Sequence, residues 1–415
     1  MFLTQKRRAE PDGAGPMELL SATGVAGAAA GDLQERAQRV ARVAAAHAAE
    51  VDVAGRFPQE CVAALKAERL LGILVPKSLG GEGASLGEVA DVCFLLGQSC
   101  SSSGMIYAMH QVKVGCLTRH FGNRAPLARI LRTLCEAQLL LASSTTEGQR
   151  GGDIRSSEAP IEHHDDGHIS LERRASVISY GAHADGVVTT ARRAADAAAS
   201  DQVLVAFLRS DYTLTRLQGW DALGMRGTCS EGYTLKARAD AGQILPDPYE
   251  VIHARTMVPF AHLLWGSVWA GIAAGATQRA QAFIRNAMRH GNGQLPPGAP
   301  QFTRAVTTLR TLRSMLTTAL RRYAECMNDP EALGSLDFQT LITLTKVEAS
   351  ELAATTVMCA MRACGLSGYR NDGDYSIGRF LRDVLSSPIM INNDRILSNF
   401  GSTALMSPIP RFLSE

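Results

Sequence analysis

Apolar residues recur at three- and four-residue spacing in two long parts of the chain, from Leu33 to Leu141 and again after Asp247. This spacing is typical of helices, because it places the apolar side chains on one face. Between the two parts, short runs rich in β-branched residues alternate with turn signals, as in strands. The runs are LLLASSTTEG, GHISLERRASVISY, GVVTTARR, DQVLVAFLR and YTLKARA. The pattern predicts a mainly α protein with a central β-domain.

Long helical segments are predicted in the C-terminal part, over residues 258–290, 302–327, 337–364 and 378–398. Their short connections favour an antiparallel bundle. The segment GNGQLPPGAP separates the first two, because its glycines and prolines cannot continue a helix. The predicted organisation is a flexible N-terminal arm (1–32), an N-terminal helical domain (33–139), a β-domain (140–251) and a C-terminal helical bundle (252–415).

Composition narrows the class of protein. Of the 415 residues, 46% are apolar and 20% are charged, which fits a globular chain divided into packed subdomains. The net charge of +2 comes without a long basic run, so no nucleic acid partner is expected. The most apolar segment, residues 261–280, contains His262, Gln278 and Arg279. It is predicted to be a packed bundle helix rather than a membrane span.

The nine cysteines are scattered, odd in number and never arranged as C-x-x-C. A disulfide framework or a zinc site is therefore not expected, and no metal is assigned to the chain. The first residues lack the apolar stretch of a secretory signal. These observations favour a reducing, cytoplasmic location.

A glycine-rich segment, TTEGQRGGD at 145–153, lies where the first helical part gives way to the strands. Glycine allows a backbone to approach a flat ligand closely, although the same residues also suit a simple turn. Two segments follow it in order, SVISYGAHAD at 176–185 and GMRGTCS at 224–230. The C-terminal part adds GATQRA at 275–280, GLSGY at 365–369 and FLRD at 380–383.

In this order, the motifs resemble those of the acyl-CoA dehydrogenase superfamily over about residues 34–405. The resemblance implies an N-terminal helical domain, a middle β-barrel domain and a C-terminal four-helix bundle. It also implies bound FAD and an acyl-CoA or acyl-carrier-protein substrate. An electron-transfer partner or O₂, and assembly as a homodimer or homotetramer, are further expectations from the same resemblance.

The resemblance also assigns residues to the cofactor and the substrate. Ser179 matches the threonine that hydrogen-bonds the reactive flavin nitrogen, and Val177 matches an aromatic residue that flanks the ring. Arg289 matches an arginine that holds the pyrophosphate of the neighbouring subunit's FAD. The residues expected to bind the cofactor are Thr145, Thr146, Gly151, Val177, Ser179, Arg289, Gly365, Gly368, Asn393 and Arg395, and those expected to bind the substrate are Gly152, Met109, Trp265 and Ile391.

The sequence departs from the family at the catalytic base. Most of these dehydrogenases have a glutamate nine residues after the arginine matched by Arg382, and it removes the α-proton of the thioester. Ile391 stands at that position, and Trp265 stands near the position of an alternative glutamate. Asp394, one helical turn from Ile391, is the candidate base, although an aspartate followed by arginine also suits a solvated pair.

Two histidines are further candidates. His110 falls on a helix that lines the substrate cavity in relatives, where oxygen-using members place a histidine near the flavin. A hydrogen-bonded histidine in the cavity wall would also explain it. His262 lies near the helix of the alternative base, and core packing is its simpler explanation.

The expected FAD site is also altered. Leu366 replaces a glycine in the adenine-binding turn, where a branched side chain hinders close approach of the backbone. The phenylalanine that accompanies Arg289 in the family is missing. These changes predict a weakened hold on FAD, or delivery of reduced flavin by a partner protein.

Two enzymatic hypotheses follow. The first is FAD-dependent α,β-dehydrogenation of an acyl thioester, with Asp394 as the base. The second is a flavin-dependent oxygenase on the same fold, which uses O₂ and reduced flavin with His110 and Ser179 beside the ring. The missing glutamate favours the second, whereas the broad agreement with the family does not choose between them. A flavin-fold scaffold without turnover is the non-enzymatic hypothesis.

Overall fold

The computed structural model describes residues 32–147, 155–406, 409, 411 and 412. The predicted N-terminal arm, apart from Asp32, lies outside the described residues. So do Gly151 and Gly152, which were expected to bind the cofactor and the substrate.

Helices come first along the described chain, as the apolar spacing predicts. They are α1 (Leu33–Ala54), α2 (Gln59–Ala67), α3 (Leu86–Ser99), α4 (Ser101–His120) and α5 (Ala125–Ala137). Side chains fix where the helices begin. The Asp32 carboxylate accepts the Leu33 N–H before α1, and Ser85 and Glu88 form a capping box before α3. α1 ends at Gly55, whose φ of +59° is readily adopted only by glycine.

The central β-domain predicted from the sequence is confirmed. Its strands are β1 (Leu141–Ser144), β2 (Glu162–His163), β3 (His168–Ser179), β4 (Gly186–Arg192), β5 (Gln202–Leu208), β6 (Tyr212–Gln218) and β7 (Ser230–Asp240). They form two sheets, in the orders β1-β4-β5 and β2-β3-β7-β6. Among the strands of the described residues, β1 and β4 are the pair that runs in parallel. The strand β6 was not predicted, because it is an edge strand with mostly exposed, polar side chains.

Three long helices dominate the C-terminal part, α7 (Val258–His290), α8 (Ala299–Cys326) and α10 (Leu336–Cys364). They match the predicted segments 258–290, 302–327 and 337–364 closely. Shorter helices complete it, α6 (Tyr249–Ile252), α9 (Pro330–Gly334), α11 (Leu366–Tyr369), α12 (Gly378–Val384) and α13 (Asn393–Met406). A single helix over 378–398 was a wrong prediction, because α12 and α13 are separated by residues 385–392.

A buried lysine explains this interruption. Lys346 on α10 donates hydrogen bonds to the carbonyl oxygens of Ser387 (3.2 Å) and Ile391 (2.7 Å) and to Oδ1 of Asn393 (2.7 Å). The two carbonyl groups therefore point at the ammonium group rather than along a helix. Pro388 lacks the N–H that a continuous helix would use. The chain turns back at Ile391, with a φ of +52° that β-branched residues rarely adopt.

A continuous helical run from Tyr249 to His290 joins α6 to α7 through a π-helical turn at His253–Met257. This run is long and apolar enough to cross a membrane by length and composition alone. Within the structure, however, 94% of its apolar window is buried against the rest of the chain. The run is therefore a core helix of the fold, as predicted from the sequence.

Glycines let α3 and α7 pack with their backbones in contact. A Cβ atom on Gly271 would lie 2.1 Å from the Phe94 carbonyl oxygen, and one on Gly97 would lie 2.4 Å from the Val268 carbonyl oxygen. Because a side chain at either position would push the helices apart, this crossing fixes where α7 lies relative to the N-terminal helices.

The ring of His110 connects α4 to the β-domain. It is fully buried, its Nε2–H donates to the Leu71 carbonyl (2.8 Å), and its Nδ1 accepts from the N–H of Leu141 in β1 (3.0 Å). Burial lowers the pKa of His110 to about 4, so the ring is neutral near pH 7. Both nitrogens are thus occupied by the backbone.

Replacing Gly271 by alanine tests the crossing of α3 and α7. We expect the free energy of unfolding to fall by roughly 1–3 kcal/mol, because the added Cβ would overlap the Phe94 carbonyl. Denaturant unfolding followed by circular dichroism gives the value. Gly334→Ala is the control, since its Cβ would meet nothing within 4 Å. An equal loss in both variants would contradict the packing argument.

Stability should depend on pH through His110. An unfolded histidine binds a proton near pH 6.5 but the folded ring only near pH 4, so stability is lost as the pH falls between these values. The loss through this ring is on the order of 3 kcal/mol. We expect His110→Gln, whose amide can keep both hydrogen bonds without titrating, to lose less stability between about pH 7 and about pH 4.5 in urea unfolding. Parallel pH profiles for the two proteins would refute this role.

Candidate active site

A cavity of about 620 Å³ lies between the β-domain and the helices α4 and α7, and the segment 385–392 closes one side. Its volume is in the range of small-molecule sites. One wall carries hydroxyl groups from the strands and the other is mainly apolar.

The sheet wall brings together several residues expected to meet the flavin. Thr145, Thr146, Val177 and Ser179 all line the cavity. The register between β3 and β7 shifts between Ala175 and Ile178, and this bulge leaves Val177 38% exposed. Bulges commonly redirect side chains beside functional sites. The contact of these residues with a flavin remains a prediction.

Behind Ser179, three hydroxyl groups form a chain that ends on a carbonyl. Ser179 Oγ lies 2.8 Å from Ser230 Oγ, which lies 2.7 Å from Thr228 Oγ1, and Thr228 Oγ1 donates to the Met225 carbonyl at 2.8 Å. Each hydroxyl has one proton. Because Thr228 uses its proton on the carbonyl, Ser230 donates to Thr228, and Ser179 donates to Ser230. Ser179 consequently presents lone pairs to the cavity.

The sequence analysis did not assign Thr228 or Ser230 to the site. Both lie in GMRGTCS, which was used there only as a family pattern. The β3–β7 pairing places Ser230 opposite Ser179, and no spacing along the chain reveals that contact.

The helical wall is mainly apolar. Met109, Trp265 and Ile391, all expected to bind substrate, line the cavity together with Met105 and Met257. Long, flexible thioether side chains can adapt to ligands of irregular shape. This wall suits a small apolar molecule.

Three polar groups interrupt the apolar wall. Lys113 on α4 is buried, and burial lowers its pKa to about 8. His262 donates from Nδ1 to the Ile342 carbonyl (3.3 Å), and burial lowers its pKa to about 3, so the neutral ring keeps Nε2 as an acceptor. The indole N–H of Trp265 is buried and has no hydrogen-bond partner among the described residues. The sequence analysis did not single out Lys113, although a lone cation on an apolar helix face is a usable signal.

No aspartate or glutamate of the described chain lines the cavity. Ile391 occupies the wall where the family's glutamate was expected. Asp394, the candidate base, is exposed at the start of α13 and lies outside the lining. Glu147 is used structurally, because its carboxylate accepts the N–H groups of Glu158 and Ala159.

Other expected site residues have different surroundings. His110 does not line the cavity, because its ring is held between backbone groups. Asn393 is buried behind the lining, where it donates to Ser350 Oγ (2.9 Å) and Glu351 Oε1 (2.8 Å) and accepts from Lys346. Arg395 does line the cavity.

The residues expected to hold the far end of FAD lie outside this cavity. Arg289 is exposed near the end of α7. Gly365 ends α10 with a φ of +57°, and a Cβ on Gly368 would lie 2.7 Å from that of Cys364. Both glycines therefore have local structural reasons for being there. Their part in cofactor binding stays a prediction.

The lining fits a flavin ring. A flat heteroaromatic ring needs polar partners along its edge and apolar surface on its face. The hydroxyl groups of Thr145, Thr146 and Ser179 supply the first, and the indole of Trp220, held by its N–H to the Met225 carbonyl (3.2 Å), supplies the second. No buried carboxylate of the described lining opposes the electron-rich ring.

Family models match both helical parts of the chain. Residues 30–138 match the acyl-CoA dehydrogenase N-terminal domain, and residues 254–399 match the acyl-CoA dehydrogenase C-terminal domain. These ranges flank the β-domain, which agrees with the observed order of elements.

Known proteins resemble the chain over most of its length. Probable acyl-CoA dehydrogenase FadE25 of Mycobacterium tuberculosis is 24% identical over 367 residues, covering 87% of this chain and 91% of that protein. L-evernosamine nitrososynthase of a Micromonospora species is 26% identical over 359 residues, covering 83% and 82%. FMN-bound TdsC from Paenibacillus sp. A11-2 shares the fold with a TM-score of 0.79 and 19% identity, covering 91% and 98%. The chain belongs to the acyl-CoA dehydrogenase family and is a flavin-dependent oxidoreductase.

Proposed function

We propose that the chain is a flavin-dependent monooxygenase that uses O₂ and reduced flavin on a small, mainly apolar molecule. The observation that carries the proposal is the absence of any carboxylate from the described cavity lining. Dehydrogenation of a thioester needs a base positioned at the α-proton, and such a base contributes about 10²–10⁴-fold to the rate. Ile391 and Trp265 stand where family carboxylates were expected, and neither can take a proton.

Similar proteins support this choice. TdsC is described as a dibenzothiophene monooxygenase, and its structure was determined with FMN. The relative from Micromonospora is a nitrososynthase. Both names describe chemistry other than dehydrogenation, in proteins that resemble this chain over four fifths of its length or more.

When bound, the flavin would supply the electrons that activate O₂. The chain's own part is to hold the ring and to keep water from it. Thr145, Thr146 and Ser179 would hold the ring edge, while Met105 and Met257 exclude water on the substrate side. A dry, apolar site protects reactive groups from side reactions.

The hydroxyl chain behind Ser179 favours the reduced form of the cofactor. By the family resemblance, Ser179 lies beside the reactive ring nitrogen, which carries a proton in reduced flavin and only a lone pair in oxidised flavin. Because the Ser179 proton is committed to Ser230, its oxygen can accept from the reduced ring but can donate to the oxidised ring only by breaking the chain. A protein that receives flavin already reduced would benefit from this preference.

A second candidate function is α,β-dehydrogenation of an acyl thioester carried by CoA or a carrier protein. The observation that favours it is the match to FadE25, a probable acyl-CoA dehydrogenase, over 87% of the chain. The base would then have to come from outside the described lining, and the exposed Asp394 is the nearest expectation from the sequence.

Whether the chain prefers FMN or FAD depends on which part of the cofactor its residues bind. By the family resemblance, Arg289, Gly365 and Gly368 would hold the adenine half of a neighbouring subunit's FAD, and this hold is weakened by Leu366 and by the missing phenylalanine near Arg289. We infer that the ring end supplies most of the recognition, so that FMN binds about as tightly as FAD. A cytoplasmic reductase as flavin donor, and a homodimer or homotetramer, complete the proposal.

Anaerobic mixing with acyl-CoA thioesters of several chain lengths separates the two functions. We expect no bleaching of the flavin absorbance, since the described lining offers no carboxylate to remove the α-proton. We also expect flavin reduced by an added NADH-dependent reductase to be reoxidised when O₂ is admitted. Bleaching by an acyl-CoA without added reductant would instead establish dehydrogenation and end the monooxygenase proposal.

Thr228→Val tests the hydroxyl chain without removing a group from the ring edge. In the wild type we expect reduced flavin to bind about tenfold more tightly than oxidised flavin, because one hydrogen bond is made only with the reduced ring. In the variant Ser230 can donate to Ser179, so the preference should shrink. Anaerobic fluorescence titrations with FMN and with FAD measure it. Thr234→Val, on β7 and outside the lining, is the control; an unchanged ratio in Thr228→Val would refute the mechanism.

A further inference from the structure

Lys113 is a buried amine without an adequate partner. Its side chain is 3% exposed and lines the cavity from the α4 face that also presents Met109 and Val112. The only hydrogen-bond contact of Nζ in the described chain is the Met257 thioether sulfur, at 3.7 Å. A thioether is a weak acceptor, so this contact cannot replace the water that the amine loses on burial.

No neighbouring group among the described residues neutralises this amine. The titratable or charged groups nearest to it are Cys116 on its own helix, Arg173 on β3, Tyr249 on α6 and His262 on α7. Burial raises the pKa of Cys116 to about 11, also raises that of Tyr249, and lowers that of His262 to about 3. These three are therefore neutral near pH 7, and Arg173 is itself a cation.

Lys346 shows what a structural buried lysine looks like in the same fold. It is also fully buried, but three oxygen atoms at 2.7–3.2 Å receive its protons. Lys346 has its hydrogen bonds in the folded chain, whereas Lys113 has only a sulfur atom and an open cavity. The difference indicates that the missing partner of Lys113 enters the cavity from outside.

We infer that Lys113 binds a single ionised oxygen of the substrate, a phenol or enol hydroxyl on an otherwise apolar molecule. This inference deepens the proposed function and rests on it only in placing the substrate in this cavity. The apolar wall accepts the body of such a molecule, and Trp265 offers one further N–H donor.

A lone hydroxyl fits better than a carboxylate or a phosphate. Those groups spread charge over two or three oxygens and are matched by the forked guanidinium of arginine or by several donors together. Lys113 offers one ammonium group as a point charge, which matches a single oxyanion. With a pKa of about 8, Lys113 is mainly an ammonium group near pH 7, so it binds the ionised hydroxyl, whose proton passes to the solvent, and an ammonium–oxyanion pair results. No electrons move in this step.

The pair would form readily. Burial lowers the pKa of Lys113 to about 8, which brings the amine close to the acidity of substituted phenols. An oxyanion beside Lys113 supplies the anionic partner that the described residues do not provide. The substrate would thereby be held as its electron-rich anion.

4-Nitrophenol is a direct probe, because its neutral and ionised forms absorb at different wavelengths. The full chain as purified is titrated without reductant, at a pH about one unit below the probe's own pKa. We expect the bound probe to show the anion spectrum although the free probe is mostly neutral. We also expect it to bind at least tenfold more tightly than nitrobenzene, which lacks the hydroxyl.

Lys113→Met should abolish this difference. We expect about a tenfold loss of affinity for 4-nitrophenol, a neutral spectrum for whatever remains bound, and unchanged binding of nitrobenzene. Since the change removes an unpaired buried charge, the melting temperature should not fall. Lys113→Gln is the second variant if the methionine form does not fold. Lys77→Met, an exposed lysine away from the cavity, is the matched control.

The possible results are distinct. A neutral spectrum in the wild type, or an anion spectrum that persists in both Lys113 variants, would overturn the inference. Tighter binding of 4-nitrobenzoate than of 4-nitrophenol would overturn the assignment to a hydroxyl. Because the titration needs neither O₂ nor flavin reduction, it succeeds or fails independently of the acyl-CoA bleaching test that decides the proposed function.

Discussion

The buried ammonium group of Lys346 organises the part of this molecule on which its chemistry depends. By drawing in the carbonyl groups of Ser387 and Ile391 and the amide of Asn393, it interrupts what would otherwise be one long helix. The interrupted segment then forms a wall of the cavity, and it presents Ile391 where the family resemblance called for a carboxylate. A charge taken out of water must be met by oxygen atoms, so the local backbone is shaped by that need.

The charged groups that line the cavity are cations, and this favours chemistry on an electron-rich substrate. In the described part of the chain the lining carries Lys113, Arg382 and Arg395 but no carboxylate. Arg382 is paired with Asp52 of α1, and Lys113 is left to the cavity. A wall of this kind stabilises anions and has no carboxylate to remove a carbon-bound proton. The same feature thus counts against dehydrogenation and in favour of a bound oxyanion.

Two sets of close contacts position the opposite walls of the cavity. On the helical side, the glycine-mediated contact of α3 with α7 fixes the helix that bears His262 and Trp265. On the sheet side, the hydroxyl chain from Ser179 to the Met225 carbonyl sets the direction of every proton along it. Hydroxyl groups usually rotate to suit their ligand. Here the hydrogen bond to the Met225 carbonyl fixes the orientation of all three hydroxyl groups. The site is therefore polarised before any ligand arrives.

The sequence by itself determined the order of helices and strands, the positions of the three long C-terminal helices and the family, because apolar periodicity and ordered motifs are local properties of the chain. It also predicted a departure from the family at Ile391, a residue that lines the cavity. Pro388 was a local signal against one helix over 378–398. Only the tertiary structure decided how residues 385–392 fold around Lys346, that His110 bonds to the backbone instead of lining the cavity, and that Lys113 faces the cavity with only a thioether beside it. Those outcomes depend on contacts between residues far apart in sequence, Lys346 with Ile391, His110 with Leu141 and Lys113 with Met257. The burial and pairing of a polar group are properties of the packed molecule, and no spacing along the chain encodes them.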